Sequence, residues 1–305
     1  MLYSLFYVFD TVPFCYFPIH TKNIIDDVGL NGTLPSELSQ LSQLEYISAY
    51  LNNMHGTLPP QYSELRRLRG LQFSFNQFTG SIPDSYGEKL YRMEQFAFWN
   101  TLLTGTIPQS IATTWTNLDE LDLSMNMITG TIPDGLSVRS KVRLSLNNLV
   151  GTLPTSLYLG KKNEVDKDGG LNENEIGRFD LYKNMLTGTI ATEVGLLRNV
   201  DYLDLSFNNF SGTIPTEIAN CTSLIRFMID SNELTGTLPS EIGLMNNKLE
   251  LLIVDDNKFG GNVPSELAQL TKLRWLELDG NLWTGSLPSE IASLPSLGTC
   301  NITTR

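Results

Sequence analysis

Hydrophobic residues recur along this chain in short alternating pairs, each followed by a fixed polar phrase. Leu203 and Leu205 enclose one polar position, which is the period of a short strand with one buried face. Asn208 follows where the chain must turn, and its amide can bond the backbone of the turn and of a neighbouring coil. Gly212 permits a positive φ or a close backbone approach, and Pro215 prevents a central strand from continuing. The pattern therefore predicts a strand, a turn and, after the proline, a 3₁₀ or short helical return.

The same phrase returns eleven times. Its glycines are Gly32, Gly56, Gly80, Gly105, Gly130, Gly151, Gly188, Gly212, Gly236, Gly261 and Gly285. The spacing is 24 or 25 residues except for one interval of 21 and one of 37. A single unit cannot close a core, but stacked units can bury about four or five aliphatic side chains each, at roughly 1.5–3 kcal/mol per side chain before entropy. The repeat predicts a solenoid.

The repeat resembles a known family. The stretches Leu118 to Pro133 and Leu224 to Pro239 match the consensus of the plant-type leucine-rich repeat, L-x-x-L-x-L-x-x-N-x-L-x-G-x-I-P. The resemblance implies an α/β solenoid, a right-handed superhelix of about eleven coils with a concave parallel β-sheet and a second short strand beside it. Family members include ectodomains of receptor-like kinases and receptor-like proteins, and polygalacturonase inhibitors.

That family implies a non-enzymatic recognition module that binds a protein, peptide or cell-wall glycan through its concave face. The chain would then be the ectodomain, or a fragment, of a receptor-like protein in signalling or defence. An extracellular or cell-surface location follows from the resemblance, with a cytoplasmic location as the alternative. Fold alone does not name a ligand.

The chain divides into three predicted segments. Residues 1–23 are an apolar N-terminal segment, 24–297 the repeat domain with an insertion near 158–175, and 298–305 a C-terminal tail. The first segment fits a degenerate signal or anchor, a plug over the solenoid end, or a mistaken translation start. Since no run of about 20 apolar residues is present, membrane attachment is not evident in this chain.

The register of the repeat places a candidate ligand-binding set on the concave face. Its order along the chain is aromatic, then basic, then acidic, and aromatic and arginine side chains are frequent anchors of protein interfaces. The alternative is that Asp and Ser here belong to the ordinary strand phrase of the family. The predicted ligand-binding residues are Tyr46, Tyr50, Trp99, Arg143, Arg178, Tyr202, Arg226, Asp230, Asp255, Trp275 and Glu277.

Two further surfaces carry weaker hypotheses. Hydroxylic residues on both sides of the repeat glycine, as in Thr235-Gly236-Thr237, predict parallel threonine columns that resemble the ice-contacting face of some solenoidal antifreeze proteins. Threonine is also simply favoured on exposed short strands. In the insertion, Asp166, Asp168 and Glu175 match positions of an EF-hand-type calcium loop, although an acidic, glycine-rich insertion is most often simply a solvated loop. No other cofactor is expected.

Composition excludes several classes of function. The chain has 21 Lys and Arg against 33 Asp and Glu, a net charge of −12, so nucleic acid is not an expected partner. The three cysteines, Cys15, Cys221 and Cys300, are too few and too scattered for a disulfide scaffold. The two histidines, His20 and His55, leave little scope for histidine-dependent catalysis, and phosphate-loop, zinc and nucleophile-elbow motifs are absent. We therefore expect a protein that is not an enzyme.

Overall fold

A computed structural model describes residues 21–159, 176–245 and 248–302. Short strands dominate it, and all the strand pairs defined below are parallel. The strands are β1 (Lys22–Ile24), β2 (Asn31–Thr33), β3 (Tyr46–Ser48), β4 (Asn53–Thr57), β5 (Gly70–Gln72), β6 (Gln77–Gly80), β7 (Gln95–Ala97), β8 (Leu102–Leu103), β9 (Glu120–Asp122), β10 (Thr129–Thr131), β11 (Lys141–Arg143), β12 (Asn148–Thr152), β13 (Arg178–Asp180), β14 (Met185–Gly188), β15 (Tyr202–Asp204), β16 (Asn209–Gly212), β17 (Arg226–Met228), β18 (Glu233–Gly236), β19 (Leu251–Ile253), β20 (Lys258–Gly261), β21 (Trp275–Glu277), β22 (Leu282–Trp283) and β23 (Thr299–Asn301).

The chain forms two compact units, the first from residues up to 138 with 143–149, the second from 139–142 with 150 onward. In the first, β1, β3, β5, β7 and β9 lie side by side in that order, and β2, β4, β6 and β8 form a second sheet. In the second, β13, β15, β17, β19, β21 and β23 are consecutive neighbours, as are β14, β16, β18, β20 and β22. Each coil therefore contributes one strand to each of two sheets.

The middle residue of each odd-numbered strand from β1 to β21 is buried, whereas Cys300 in β23 is partly exposed. In the second unit the register aligns Leu203 with Phe227, Phe227 with Leu252, and Leu252 with Leu276, and each is at most 1% exposed. Full burial of such a side chain stabilises the fold by roughly 1.5–3 kcal/mol. The alternation predicted from the sequence is thus the alternation of core and outward positions.

The segment after the repeat proline is a single short helix in most coils, as predicted, whereas Pro133 is followed by a turn without a helix. The proline fixes φ near −65° and cannot donate a strand hydrogen bond, so the chain leaves the sheet there. The 3₁₀ helices are Ser36–Gln40, Pro60–Glu64, Thr192–Leu196, Thr216–Asn220, Ser240–Leu244 and Ser265–Gln269, and the α-helices are Asp84–Lys89, Ser110–Thr114, Ser156–Leu159 and Ser289–Ala292.

In most coils a buried asparagine makes hydrogen bonds to the coil before it. The Asn232 Nδ2 donates to the carbonyls of Leu205, Ile229 and Asp230 at 3.0–3.2 Å, while its Oδ1 accepts the backbone N–H of Phe210 at 2.9 Å. The predicted asparagine ladder is confirmed, since the same bonds recur at Asn76, Asn126, Asn147, Asn208, Asn257 and Asn281.

Thr101 takes the asparagine position in one coil. Its hydroxyl lies 2.6 Å from Oδ1 of Asn126 and 3.2 Å from the carbonyl of Phe98. Asn126 meanwhile accepts the backbone N–H of Leu103 at 2.9 Å. A hydroxyl can donate one hydrogen bond where an amide donates two, so this rung of the ladder is weaker than its neighbours.

The repeat glycine is required both by its backbone and by its neighbour. Gly212 has φ 77°, in the left-handed region that favours glycine. A Cβ at this position would stand 2.8 Å from the Cγ2 methyl of Thr189 in the preceding coil. In most coils the residue after the repeat glycine is a threonine whose methyl packs against the glycine of the next coil, although Ser81 and Asn262 take its place in two of them.

The stacked parallel strands confirm the predicted repeat solenoid. The segment boundaries at 23 and 297 stay predictions, and the calcium hypothesis falls on residues outside the described ranges. Cys221 is fully buried and its thiol donates to the carbonyl of Val194 at 3.2 Å. Burial raises the pKa of this thiol to about 12, which is typical of an unreactive core cysteine.

Candidate ligand-binding face

The outward face of the odd-numbered strands carries the predicted site residues. The first and third residues of each strand flank the buried middle residue and point away from the core, as Tyr202 and Asp204 flank Leu203. Backbone hydrogen bonds between coils continue beyond the strands, for example from Phe207 N–H to the Asp230 carbonyl at 3.0 Å. This continuation adds further outward positions to each coil, two and three residues after the strand ends.

In the first unit, three aromatic side chains from successive coils form an aromatic row, defined as Tyr50, Phe75 and Trp99. The ring centroids of Tyr50 and Phe75 are 5.5 Å apart at 81°, and those of Phe75 and Trp99 are 4.6 Å apart at 68°. Such edge-to-face pairs are favourable beyond their buried area. Tyr50 remains 39% exposed and the other two rings are partly exposed. The row is therefore ordered by its own contacts while still facing solvent.

Tyr46 is predicted as a ligand contact but is held by the protein itself. Its hydroxyl donates to Oε2 of Glu94 at 2.9 Å, and Arg69 Nε donates to the other carboxylate oxygen at 3.0 Å. The ring passes over Gly70, where a Cβ would stand only 2.4 Å from Tyr46 Cδ1. Partial burial and the Glu94 hydrogen bond raise the pKa of Tyr46. This side chain braces neighbouring coils and forms one wall of a shallow pocket.

That pocket lies on the outward face of the first unit. Its lining is mostly neutral, and a 2.9 Å hydrogen bond joins the amides of Gln72 and Gln95 across it. The Lys22 ammonium lies 4.7 Å from the centroid of the Tyr46 ring, a cation–π contact. The lining residues are Lys22, Ile24, Tyr46, Ile47, Ser48, Gln72 and Gln95.

Two of the three predicted arginines are engaged in internal contacts, whereas Arg226 is exposed on β17. Arg143 Nη1 lies 3.0 Å from Oδ2 of Asp122 and 3.4 Å from Oε1 of Glu120. In the second unit, the Arg178 guanidinium lies 3.9 Å from the Tyr202 ring centroid and pairs with Asp180 at 3.3 Å. Internal partners therefore compensate these charges.

Asp204 and Tyr202 form a linked pair beside that arginine. The Tyr202 hydroxyl donates to Oδ2 of Asp204 at 3.1 Å, and Ser206 N–H donates to Oδ1 at 3.0 Å. Burial, with a smaller contribution from Asp180, raises the pKa of Asp204 to about 6, although the Ser206 hydrogen bonds act in the opposite direction. Burial also raises the pKa of Tyr202.

The acidic end of the face is less exposed than the sequence indicates. Asp230 is only 8% exposed, because a short side chain between neighbouring coils is covered by them. Burial raises its pKa, and burial together with Asp230 raises the pKa of Asp255 to about 6. Trp275 is 42% exposed, and its indole N–H donates to Oε1 of Glu277 at 2.6 Å.

Sequence reasoning missed three outward residues on this end, Met228, Leu251 and Ile253. All three are partly exposed and flank buried middle residues of β17 and β19. The signal was the run Leu251-Leu252-Ile253, where the usual alternation of apolar and polar positions fails. An apolar residue at an outward position indicates either a neighbour that covers it or a surface that binds.

The two threonine columns are exposed, but one of them is hydrogen-bonded within the repeat. Thr235 Oγ1 donates to the Gly212 carbonyl at 3.2 Å, and Thr129 Oγ1 donates to the Gly105 carbonyl at 3.1 Å. The other column supplies the methyl groups that pack on glycine. The Thr-Gly-Thr phrase therefore has an architectural role in every coil that contains it.

The ranges 21–159, 176–245 and 248–302 contain neither a metal-binding cluster nor a membrane-spanning helix. Within them, no group of three His, Cys, Asp or Glu side chains is placed to hold a metal ion. No helix among these residues has the length and apolar character needed to span a bilayer. His55 is exposed on β4.

Comparison with known proteins identifies the repeat. The leucine-rich-repeat family model matches residues 117–138 and 199–221, two of the coils described above. These two stretches are leucine-rich repeats, and the chain as a whole resembles the leucine-rich-repeat ectodomains of plant receptor kinases. No curated protein matches it in sequence.

Solved structures share the fold over most of the chain. The plant peptide hormone receptor RGFR1, in complex with RGF2, is 28% identical with a TM-score of 0.82, covering 90% of this chain and 42% of that one. A TDR receptor is 27% identical with a TM-score of 0.82, covering 92% and 47%. A plant ice-binding protein is 24% identical with a TM-score of 0.60, covering 82% and 77%, which is a likeness of fold alone. The chain thus spans less than half the length of the two receptors.

Proposed function

We propose that this chain is a non-enzymatic recognition module that binds an extended peptide or protein segment through the outward face of its odd-numbered strands. The aromatic row carries the proposal, because three ordered rings remain open to solvent on one face. Aromatic side chains in fixed positions supply a large contact area at a low cost in ordering. The likeness to a receptor structure described as a peptide-hormone complex supports the same ligand class.

The same likeness supports an extracellular place for the chain, as an ectodomain or part of one in a receptor-like protein for signalling or defence. Leucine-rich-repeat ectodomains are typically non-enzymatic, which supports a binding role without catalysis. Ion pairs and hydrogen bonds already engage Arg143, Arg178 and Tyr46, so we assign these three to shaping the face.

A glycan is the competing ligand. Sugar rings stack best on flat aromatic platforms, whereas successive rings in the aromatic row are inclined at 81° and 68°. Inclined rings do not form such a platform, but the spaces between them can accept the side chains of a peptide. We therefore assign the row to peptide recognition.

The test is a selection from a displayed pool of random peptides against the intact chain, followed by titration of enriched peptides. We expect the double variant Tyr50→Ala with Trp99→Ala to weaken binding by about 30-fold or more, as loss of buried aromatic anchors does. Tyr91→Ala is the matched control, since Tyr91 is 50% exposed but lies in the turn between the helix Asp84–Lys89 and β7, outside the aromatic row.

Circular dichroism and the unfolding midpoint establish that each variant is folded. Equal affinities of the double variant and the wild type would show that the aromatic row is not the binding surface. An enriched pool that contains no specific binder would count against peptide recognition altogether.

Ice binding is the alternative function, and the two exposed threonine columns are the observation that favours it. Internal hydrogen bonds of one column weaken that assignment. A thermal-hysteresis measurement decides it: a freezing-point gap with shaped ice crystals would support ice binding, and its absence at high protein concentration would remove it.

A further inference from the structure

The second unit carries an apolar patch on its outward face, defined as Met228, Leu251, Ile253 and Trp275. The strand register aligns Leu251 with Trp275 and Met228 with Ile253, so the four side chains come from three adjacent strands. All are partly or largely exposed. Adjacent strands lie about 4.8 Å apart, so the four side chains are neighbours on one surface.

Carboxylates border the patch where β17, β19 and β21 end. Asp255 and Asp256 follow β19, Asp230 follows β17, and Glu277 ends β21. A backbone hydrogen bond from Ser231 to the Asp255 carbonyl, 3.1 Å long, holds the first two coils in register here. Among the described residues, no lysine or arginine forms an ion pair with any of these four carboxylates.

The crowded carboxylates have no compensating ion pair among the described residues. Repulsion from Asp230, Glu277 and Asp256 contributes to the raised pKa of Asp255, after burial. Oδ1 of Asp255 is also buried without a hydrogen-bond partner. Elsewhere on this face, carboxylates such as Asp180 have an arginine beside them. A cation supplied from outside would offset the repulsion.

We propose that the apolar patch and its four bordering carboxylates form a docking surface for an extended partner peptide in which an apolar side chain stands next to Lys or Arg. The apolar side chain would pack on Ile253 and Trp275, and the neighbouring cation would reach Asp255 and Glu277. This inference rests on the proposed function and adds the chemistry of the ligand. Charge complementarity favours a Lys or Arg in the bound peptide, and the apolar patch favours an apolar residue beside it.

The experiment uses the same displayed pool of random peptides on the intact chain and on a double variant, Asp255→Asn with Glu277→Gln. The substitutions remove two charges at nearly constant size and relieve repulsion, so the fold should persist. We expect wild-type selection to enrich peptides with Lys or Arg beside an apolar residue, and the double variant to bind these at least 10-fold more weakly.

The matched control is Glu217→Gln with Glu241→Gln, which removes the same charge from the 3₁₀ helices of the second unit. Its affinity for the enriched basic peptides should stay within about twofold of the wild type, whereas general electrostatic attraction would weaken both variants equally. Higher salt should weaken wild-type binding more than binding by the Asp255 and Glu277 variant.

Two results would overturn the inference: enriched peptides with no excess of basic residues beside apolar ones, or binding that survives the Asp255 and Glu277 substitutions. If enriched peptides instead lose affinity only in the Tyr50 and Trp99 variant, the proposed function stands and this inference fails. If the pool yields no specific binder, both fail.

Discussion

At the scale of single residues, the stacking of coils depends on two complementary positions. A threonine methyl of one coil fills the space above the glycine of the next, and a buried asparagine satisfies backbone groups in two coils. These two contacts explain why Thr, Gly and Asn recur at fixed positions, which the alternation of apolar and polar residues alone does not require. The composition rich in Thr, Gly and Asn is therefore largely architectural.

The glycine contact can be tested with a matched pair of substitutions. Gly212→Ala places a methyl group 2.8 Å from Thr189 Cγ2 in a backbone with φ 77°, whereas Gly29→Ala, at φ 71°, meets nothing within 4 Å. We expect Gly29→Ala to lower the free energy of unfolding by about 1–2 kcal/mol from backbone strain, and Gly212→Ala by about 2–4 kcal/mol. Urea unfolding measures both.

Adding Thr189→Ser to Gly212→Ala removes the opposing methyl and should recover part of the additional loss. If the two alanine variants are equally destabilised, the threonine contact contributes nothing and backbone conformation alone explains the glycine.

The asparagine ladder gives a second prediction at this scale. Asn232→Ala leaves three carbonyls and one N–H without their side-chain partner in a buried position, and we expect a loss of about 3 kcal/mol in the free energy of unfolding. The control is Asn209→Ala at an exposed position of β16, with an expected change below about 0.5 kcal/mol. Similar midpoints for the two variants in urea would contradict the role given to the ladder.

At the scale of elements, the sequence predicts strands and helical returns because both follow from the local order of residues. Leu203 and Leu205 mark a strand, and Pro215 marks the point where the chain leaves the sheet. The local order of residues does not predict the contacts of Thr101, which replaces the repeat asparagine, because its hydroxyl bonds to Asn126 in the next coil. Whether a return is α-helical, as Asp84–Lys89 is, or 3₁₀ also depends on packing between coils.

The candidate site is less predictable than the fold for the same reason. Tyr50 and Trp99 could be placed on the outward face from their register, but Tyr46 could not be separated from them by sequence alone. Its role depends on Glu94, two coils away, and on the missing side chain of Gly70 between them. The patch around Ile253 emerges only when three strands are set side by side.

At the scale of the whole molecule, the net charge of −12 includes carboxylates that the fold keeps partly from water. The pKa of Asp204 is about 6 in the folded chain, above its ordinary value of 3.8, because burial disfavours the charged form. The folded state then holds a proton that the unfolded state releases between those pH values. The contribution of this group to stability is present below about pH 3.8 and lost as the pH rises through about 6.

Because the pKa of Asp204 is raised in the folded state, we expect the free energy of unfolding to fall as the pH rises. Asp204→Asn retains an acceptor for the Ser206 N–H but cannot titrate. On raising the pH from about 4 to about 7, the wild type should lose about 1–2 kcal/mol of unfolding free energy more than the variant does. Urea unfolding at both pH values gives the difference, and the same pH dependence in the two proteins would show that Asp204 ionises freely in the fold.

The contact between threonine and glycine also has a consequence for how repeats can be gained or lost in evolution. Most coils contain both the glycine that contacts the preceding coil and the threonine whose methyl contacts the following coil. A duplicated unit of about 24 residues therefore carries both partners of this contact. Duplication or loss of one whole coil can therefore preserve the threonine–glycine contacts between the remaining coils. An insertion of a few residues within a coil changes the length of a loop in that coil alone. The outward face can in this way change its length, and the order of its binding side chains, without a new core.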